Sequence, residues 1–167
     1  MIREEMITQE LLTDKDIANN YYLTEPEEKN DYNHFKYDLV LKSKSEKILC
    51  LIEAKYRSFS GRPTTDSIVA SLIKLLYEWC TTFKKNLEIK LVLLIYLKDG
   101  VSEPDETFRN GIIEKLNELA KDCFKIENNF RFEMITIKAV KKDGEIIKAQ
   151  DMKKELLEKL KEKQILS

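Results

Sequence analysis

The residues best suited to chemistry lie in positions 37–57, YDLVLKSKSEKILCLIEAKYR. Glu53 and Lys55 are two apart, so on a β-strand their side chains share one face and Ala54 takes the other. Asp38 lies fifteen residues before Glu53, room for one strand, a tight connection and an antiparallel neighbour. Two carboxylates and an amine then converge from adjacent strands. A hard divalent cation such as Mg²⁺ prefers oxygen ligands, and Asp38, Glu53 and the Ala54 carbonyl can supply three. Such a cation lowers the pKa of a bound water and neutralises charge building on a phosphate. A Lys55 ammonium beside it can steer the attacking water or contact the scissile phosphate.

An E-x-K triplet alone says little in a chain that is 35% charged. Its apolar frame says more. Ile48, Leu49, Cys50, Leu51 and Ile52 form a continuous run, the pattern of a strand buried on both faces in mid-sheet. Glu53 and Lys55 appear where that run ends. Charged residues are seldom buried without partners, and strand ends in α/β sheets are where sites gather. The competing reading is a surface salt bridge at a strand terminus.

At Tyr37-Asp38-Leu39-Val40-Leu41 and Leu51-Ile52-Glu53-Ala54-Lys55 the sequence resembles the PD-(D/E)xK nuclease superfamily, the restriction-endonuclease-like fold. The resemblance spans residues 1–97 by order of elements and only 37–57 by motif. It implies that Asp38 and Glu53 hold Mg²⁺, with Mn²⁺ able to substitute, and that Lys55 is catalytic. Tyr37 stands where the name-giving proline would be. Many members also carry a first-helix Glu that reaches the site. Glu5 and Glu10 are the candidates ahead of Glu4, and Glu10 is chosen because it borders Leu11 and Leu12. The implied activity is hydrolysis of DNA phosphodiester bonds.

The elements that would position these groups follow from periodicity. Ile2, Met6, Ile7, Leu11 and Leu12 have helical spacing within residues 2–20, and a short strand is expected at 21–23. After the strand pair, Gly61 and Pro63 break the chain, and Thr65 or Asp66 caps a helix running to 85. Residues 88–97 read as an apolar strand. Residues 104–124 read as an amphipathic helix with Phe108, Ile112, Ile113, Leu116, Leu119 and Phe124 on its apolar side. Residues 130–140 alternate like a strand, Asp143-Gly144 is a hairpin turn before 145–148, and 151–163 is a charged amphipathic helix. The fold class is α/β, a mixed central sheet flanked by helices in one domain over 1–167. Its expected core is αβββαβ over 1–97, with a helix-hairpin-helix extension over 104–167.

With 167 residues, 43% of them hydrophobic, the chain can bury a sizeable core. No apolar run approaches the ~20 residues of a membrane span, and MIREEMITQE lacks the apolar centre of a signal peptide. Cys50, Cys80 and Cys123 read as buried free thiols of a reducing compartment, so a cytoplasmic location is expected. The net charge of −1 weighs mildly against tight stand-alone DNA binding. Yet from Lys36 to Arg62 seven basic residues face three acidic ones, an excess of +4. Lys42, Lys44 and Lys47 read as protectors of a hairpin edge, while Arg57 and Arg62 follow the motif and are read as phosphate contacts. The helix over 65–85 is apolar on most of its circumference, which points to deep burial or to a homodimer. The single histidine, His34, excludes most histidine-based acid–base schemes, and no phosphate-binding Gly-rich loop is present. A non-catalytic nucleic-acid-binding or protein-interaction subunit on the same fold is the alternative.

Overall fold

The computed structural model describes residues 1–26, 37–58, 65–125 and 132–167. At its centre is β4 (Ile48–Arg57), ten residues long. Antiparallel β3 (Leu39–Ser43) pairs with one side of it and parallel β5 (Lys90–Lys98) with the other. Beyond β3 lie β2 (Tyr21–Thr24) and β1 (Asp16–Ala18), and β6 (Phe132–Val140) closes the far edge parallel to β5. The sheet thus has six strands in sequential order, β1-β2-β3-β4-β5-β6. Helix α1 (Glu4–Leu11) precedes β1, α2 (Thr65–Thr81) links β4 to β5, and α5 (Ala149–Glu162) follows β6. Between β5 and β6 run α3 (Glu106–Phe108), a π-helical stretch (Arg109–Glu114) and α4 (Lys115–Phe124). This is the expected α/β architecture, a mixed sheet flanked by helices.

Strand alternation sorts the core onto two faces. Cys50, Ile52 and Ala54 pack with Val92, Leu94 and Tyr96 against Ile7 and Leu11 of α1 and Met152, Leu156 and Leu160 of α5. Leu51 packs with Leu91, Leu93 and Ile95 against Ile68, Leu72, Leu75 and Trp79 of α2. Both sides of β4 are therefore covered, which its unbroken apolar run requires. Thr8 and Tyr96 share a buried hydroxyl–hydroxyl hydrogen bond at 3.0 Å that fixes α1 over the sheet.

Several boundaries differ from the periodicity. The first helix stops at Leu11, where the Asp14 carboxylate accepts the Asp16 N–H at 3.2 Å and turns the chain into β1. This is the competition that a short polar side chain offers a helix. Helix α2 ends at Thr81, and Lys84 and Lys85 adopt positive φ beyond it. Within 104–124 the π-helical stretch adds residues to the turn and rotates the apolar stripe. Leu119 is thus exposed, whereas Ala120 is buried. The expected C-terminal hairpin is not a separate extension, because β6 joins the main sheet through a parallel crossover from β5. Of the strand expected at 145–148 only a bridge between Val140 and Ile146 remains, across a turn where Gly144 has φ of 94°.

Lys44 and Lys47 are exposed, as a solvated hairpin requires, but the edge reading fails for Lys42. Strand β3 is an interior strand paired with β2, and Lys42 is buried. Lys44 pairs with Asp16, and Lys47 with Glu88 at 3.0 Å. Of the three free thiols Cys50 is buried, Cys80 half-buried and Cys123 exposed, so burial holds fully for the first alone. Among the described residues no helix is long and apolar enough to cross a membrane.

One buried charge has a measurable cost. Lys153 of α5 is 5% exposed, and its ammonium makes no hydrogen bond among the described residues. Asp14 stands 4.0 Å away, beyond hydrogen-bond reach, and burial pushes the Lys153 pKa down. An unsatisfied buried polar group costs about 1–3 kcal/mol. Lys153→Met, recovering about 1 kcal/mol of this, is therefore expected to raise Tm by roughly 2–4 °C in scanning calorimetry. A lower Tm would show that the ammonium is better solvated than its burial indicates.

Candidate active site

The site forms because β4 outruns its antiparallel neighbour. Leu39 pairs with Ile52, so the last residues of β4 extend past the start of β3. The final rung is the Asp38 N–H donating to the Ile52 carbonyl at 3.0 Å. Further along that edge the Ala54 N–H donates to Asp38 Oδ2 at 2.8 Å, and the Tyr56 N–H donates to Glu4 Oε2 at 3.0 Å. Two carboxylates, one from the start of β3 and one from α1, thus satisfy the backbone donors that a longer β3 would have met. A strand residue directs its N–H and C=O to the same side, so the Ala54 carbonyl also faces this edge.

Glu53 turns to the α2 face and is 4% exposed. Lys74 Nζ lies 3.0 Å from its Oε2 and 3.3 Å from its Oε1, and Lys55 Nζ lies 3.3 Å from Oε1. Ser71 Oγ reaches Oε1 at only 3.5 Å and donates to the Ser67 carbonyl at 2.9 Å, the stronger bond. Lys55 also stands 3.6 Å from Glu4 Oε1. The cluster is therefore three carboxylates and two ammoniums, one negative charge in excess.

The charges sense one another. Burial raises the Glu53 carboxyl above its ordinary value, and Asp38 adds to the rise against the pull of Lys55 and Lys74. Glu4 is likewise raised by burial, with Lys55 opposing and Asp38 and Glu53 adding. Burial works against the Lys55 ammonium, but Glu4, Glu53 and Asp38 outweigh it and hold its pKa above the usual lysine value. Like-charged carboxylates held together at a strand end are a costly arrangement, the kind that clusters at functional sites.

Asp38, Glu53, Lys55 and the Ala54 backbone, singled out from sequence, are brought together. Glu10 is not among them: its Oε1 accepts the Ala149 N–H at 3.3 Å, at the start of α5. At 1.5 Å per residue it lies about 9 Å along the helix axis from Glu4. Glu4 is the α1 carboxylate that reaches the site, and its signal was in the sequence. Glu4, Ile7 and Leu11 fall on one helical stripe, whereas adjacency to Leu11 puts Glu10 on another part of the circumference. Lys74 was missed too, although Ser71, Lys74 and Glu78 form a polar line beside the apolar stripe of α2. Arg57 ends β4 half-buried, on the face of Glu53 and Lys55 by alternation. Arg62 and His34 lie outside the described residues. Tyr56 packs against the α1 and α5 side of the core.

Among the described residues no three His, Cys, Asp or Glu side chains form a group that could hold a metal ion. Glu53 is turned to Lys74, while Asp38 and Glu4 face the β4 edge. In kind, however, the donors suit a hard divalent cation: carboxylate oxygens on neighbouring strands, a backbone carbonyl between them, and an unbalanced negative charge. Comparison with protein-family models, with curated proteins and with solved structures found no match to this chain.

Proposed function

We propose that the chain is a metal-dependent nuclease of the PD-(D/E)xK type that hydrolyses DNA phosphodiester bonds, on a restriction-endonuclease-like core running from α1 to β5. The observation that carries this reading is the convergence of Asp38, Glu53, Glu4 and Lys55 at the end of the central strand. Asp38, Glu53 and the Ala54 carbonyl would hold Mg²⁺, or Mn²⁺ in its place, and Glu4 takes the part first given to Glu10. The bound cation would supply a water of lowered pKa and neutralise phosphate charge. Lys55, kept protonated by Glu4 and Glu53, positions that water or donates to the scissile phosphate. Arg57 contacts a neighbouring phosphate.

The test is cleavage of supercoiled plasmid and of single-stranded DNA with Mg²⁺, Mn²⁺ or EDTA. Metal-dependent cutting that EDTA suppresses is the expected result. No cutting with either metal, together with a Tm unmoved by Mn²⁺, would overturn the reading.

One observation favours a non-catalytic nucleic-acid-binding or protein-interaction subunit instead: Glu53 is already neutralised by two lysines. Helix α2 also leaves Ile73 and Tyr77 exposed one turn apart, and a homodimer through this helix fits either reading. A monomeric mass at micromolar concentration would remove the dimer.

A further inference from the structure

Glu53, a buried carboxylate, is held by cations. Two ammoniums serve it, and they differ in what else they do. Lys55 also faces Glu4 and lies on β4 itself. Lys74 comes from α2, meets both oxygens of Glu53, and has no other ionic partner among the described residues. Its side chain is 23% exposed. A four-carbon stem with an outlet to solvent lets its ammonium leave by rotation, without displacing the helix.

The charge count gives that departure a reason. Three carboxylates against Lys55 and Lys74 leave one negative charge. A divalent cation added with Lys74 in place would leave one positive charge, but with Lys74 withdrawn it leaves none. Ammonium and metal therefore compete for one carboxylate.

We infer that Lys74 is an internal counter-cation for Glu53 that a divalent metal must displace, so that Lys74 sets the metal affinity of the site. The inference rests on the metal-dependent reading above and makes Lys74 a positioning residue rather than a catalytic one. It also accounts for a cluster with the right oxygen donors and no grouping of three: one donor is held away by an amine. Removing the amine opens the site to metal and weakens the metal-free fold, two effects of opposite sign.

The experiment is titration calorimetry of the full chain with Mn²⁺, for wild type, Lys74→Met, Lys74→Gln and Lys74→Arg. Removing the ammonium that competes for Glu53 is expected to tighten Mn²⁺ binding at least about tenfold in the Met and Gln variants. Lys74→Arg retains the charge and stays near wild type. The metal-free Tm of Lys74→Met falls, and saturating Mn²⁺ restores it. Should Lys74→Met fold poorly, Lys74→Gln, which keeps a polar N–H donor at this position, carries the same comparison. If wild type binds Mn²⁺ but the neutral variants bind it no more tightly, or Lys74→Arg tightens as much as they do, the role of Lys74 is overturned while the nuclease reading stands. If neither wild type nor variants bind Mn²⁺, both fall.

Discussion

Lys55→Ala is expected to lower metal-dependent cleavage by on the order of 10²–10³-fold or more and to leave the fold in place. The loss follows from where the ammonium stands. Lys55 shares a strand face with Glu53, and its ammonium lies 3.3 Å from Glu53 and 3.6 Å from Glu4. It is thus fixed beside the carboxylates and partly open to solvent, 29% exposed. In the proposed reaction a positive charge held by a rigid central strand would act on a phosphate without reorganising, and alanine removes all of it. The fold survives because Lys74 still serves Glu53 and because the truncated side chain lies outside the packed core. Asp38→Ala is expected to lose cleavage to a similar degree, with an added structural cost. It strips the acceptor from the Ala54 N–H, a loss of about 1–3 kcal/mol. Single-turnover plasmid cleavage, read with circular dichroism on both purified variants, checks the pair. Retained cutting by either folded variant would sink the mechanism.

The contrast between Asp38 and Glu4 shows where sequence reasoning reaches. Glu53 and Lys55 are placed by a local rule, the two-residue period of strands, anchored by an apolar run that identifies the middle of a sheet, and Asp38 by a fifteen-residue spacing that fits a hairpin. Each step needs only neighbours in the chain. Glu4 needs the corresponding rule for helices, the stripe through Ile7 and Leu11, which adjacency to Leu11 and Leu12 does not express. Lys74 needed more than a rule. Its meeting with Glu53 depends on how far α2 slides along β4, which is settled by the packing of Ile68, Leu72, Leu75 and Trp79 on Leu91, Leu93 and Ile95. Nothing in the spacing of α2 states that offset. The same holds for β6, whose alternation gave a strand and whose following turn pointed to a hairpin with 145–148 rather than to β5. Pairing with β5 is a long-range choice made by the crossover through α3 and α4. The three-residue β1 is too short to leave a period at all.

Asp38→Asn is expected to reverse the order of stability between metal-free and metal-loaded protein. Asparagine keeps an oxygen to accept the Ala54 N–H and removes one of three crowded negative charges. Burial is the main cause of the raised Glu53 carboxyl, and Asp38 is the next; Asp38 also raises Glu4. A carboxyl raised in the folded state contributes stability that is present below its ordinary value of 4.5 and lost as pH rises through the folded pKa. At neutral pH the wild type therefore carries the cost of an ionised Glu53 beside Asp38. The variant recovers part of it, about 1 kcal/mol or roughly 2–4 °C in Tm. That gain shrinks as pH falls toward 4.5, because Glu53 then takes up a proton in both proteins. Adding metal changes the sign. Mn²⁺ at about 100 times its Kd stabilises a protein that binds it by about 2.7 kcal/mol, and a variant lacking the Asp38 carboxylate forgoes most of this. Without metal the variant melts higher, with metal the wild type does, and calorimetry in EDTA and in Mn²⁺ at pH 7 reads both. A variant less stable than wild type in EDTA would mean that Asp38 serves the fold as an ordinary salt-bridge carboxylate. Equal Mn²⁺ shifts in the two proteins would mean that it holds no metal. Either result removes the tension between stability and metal binding that gives this strand end its functional reading.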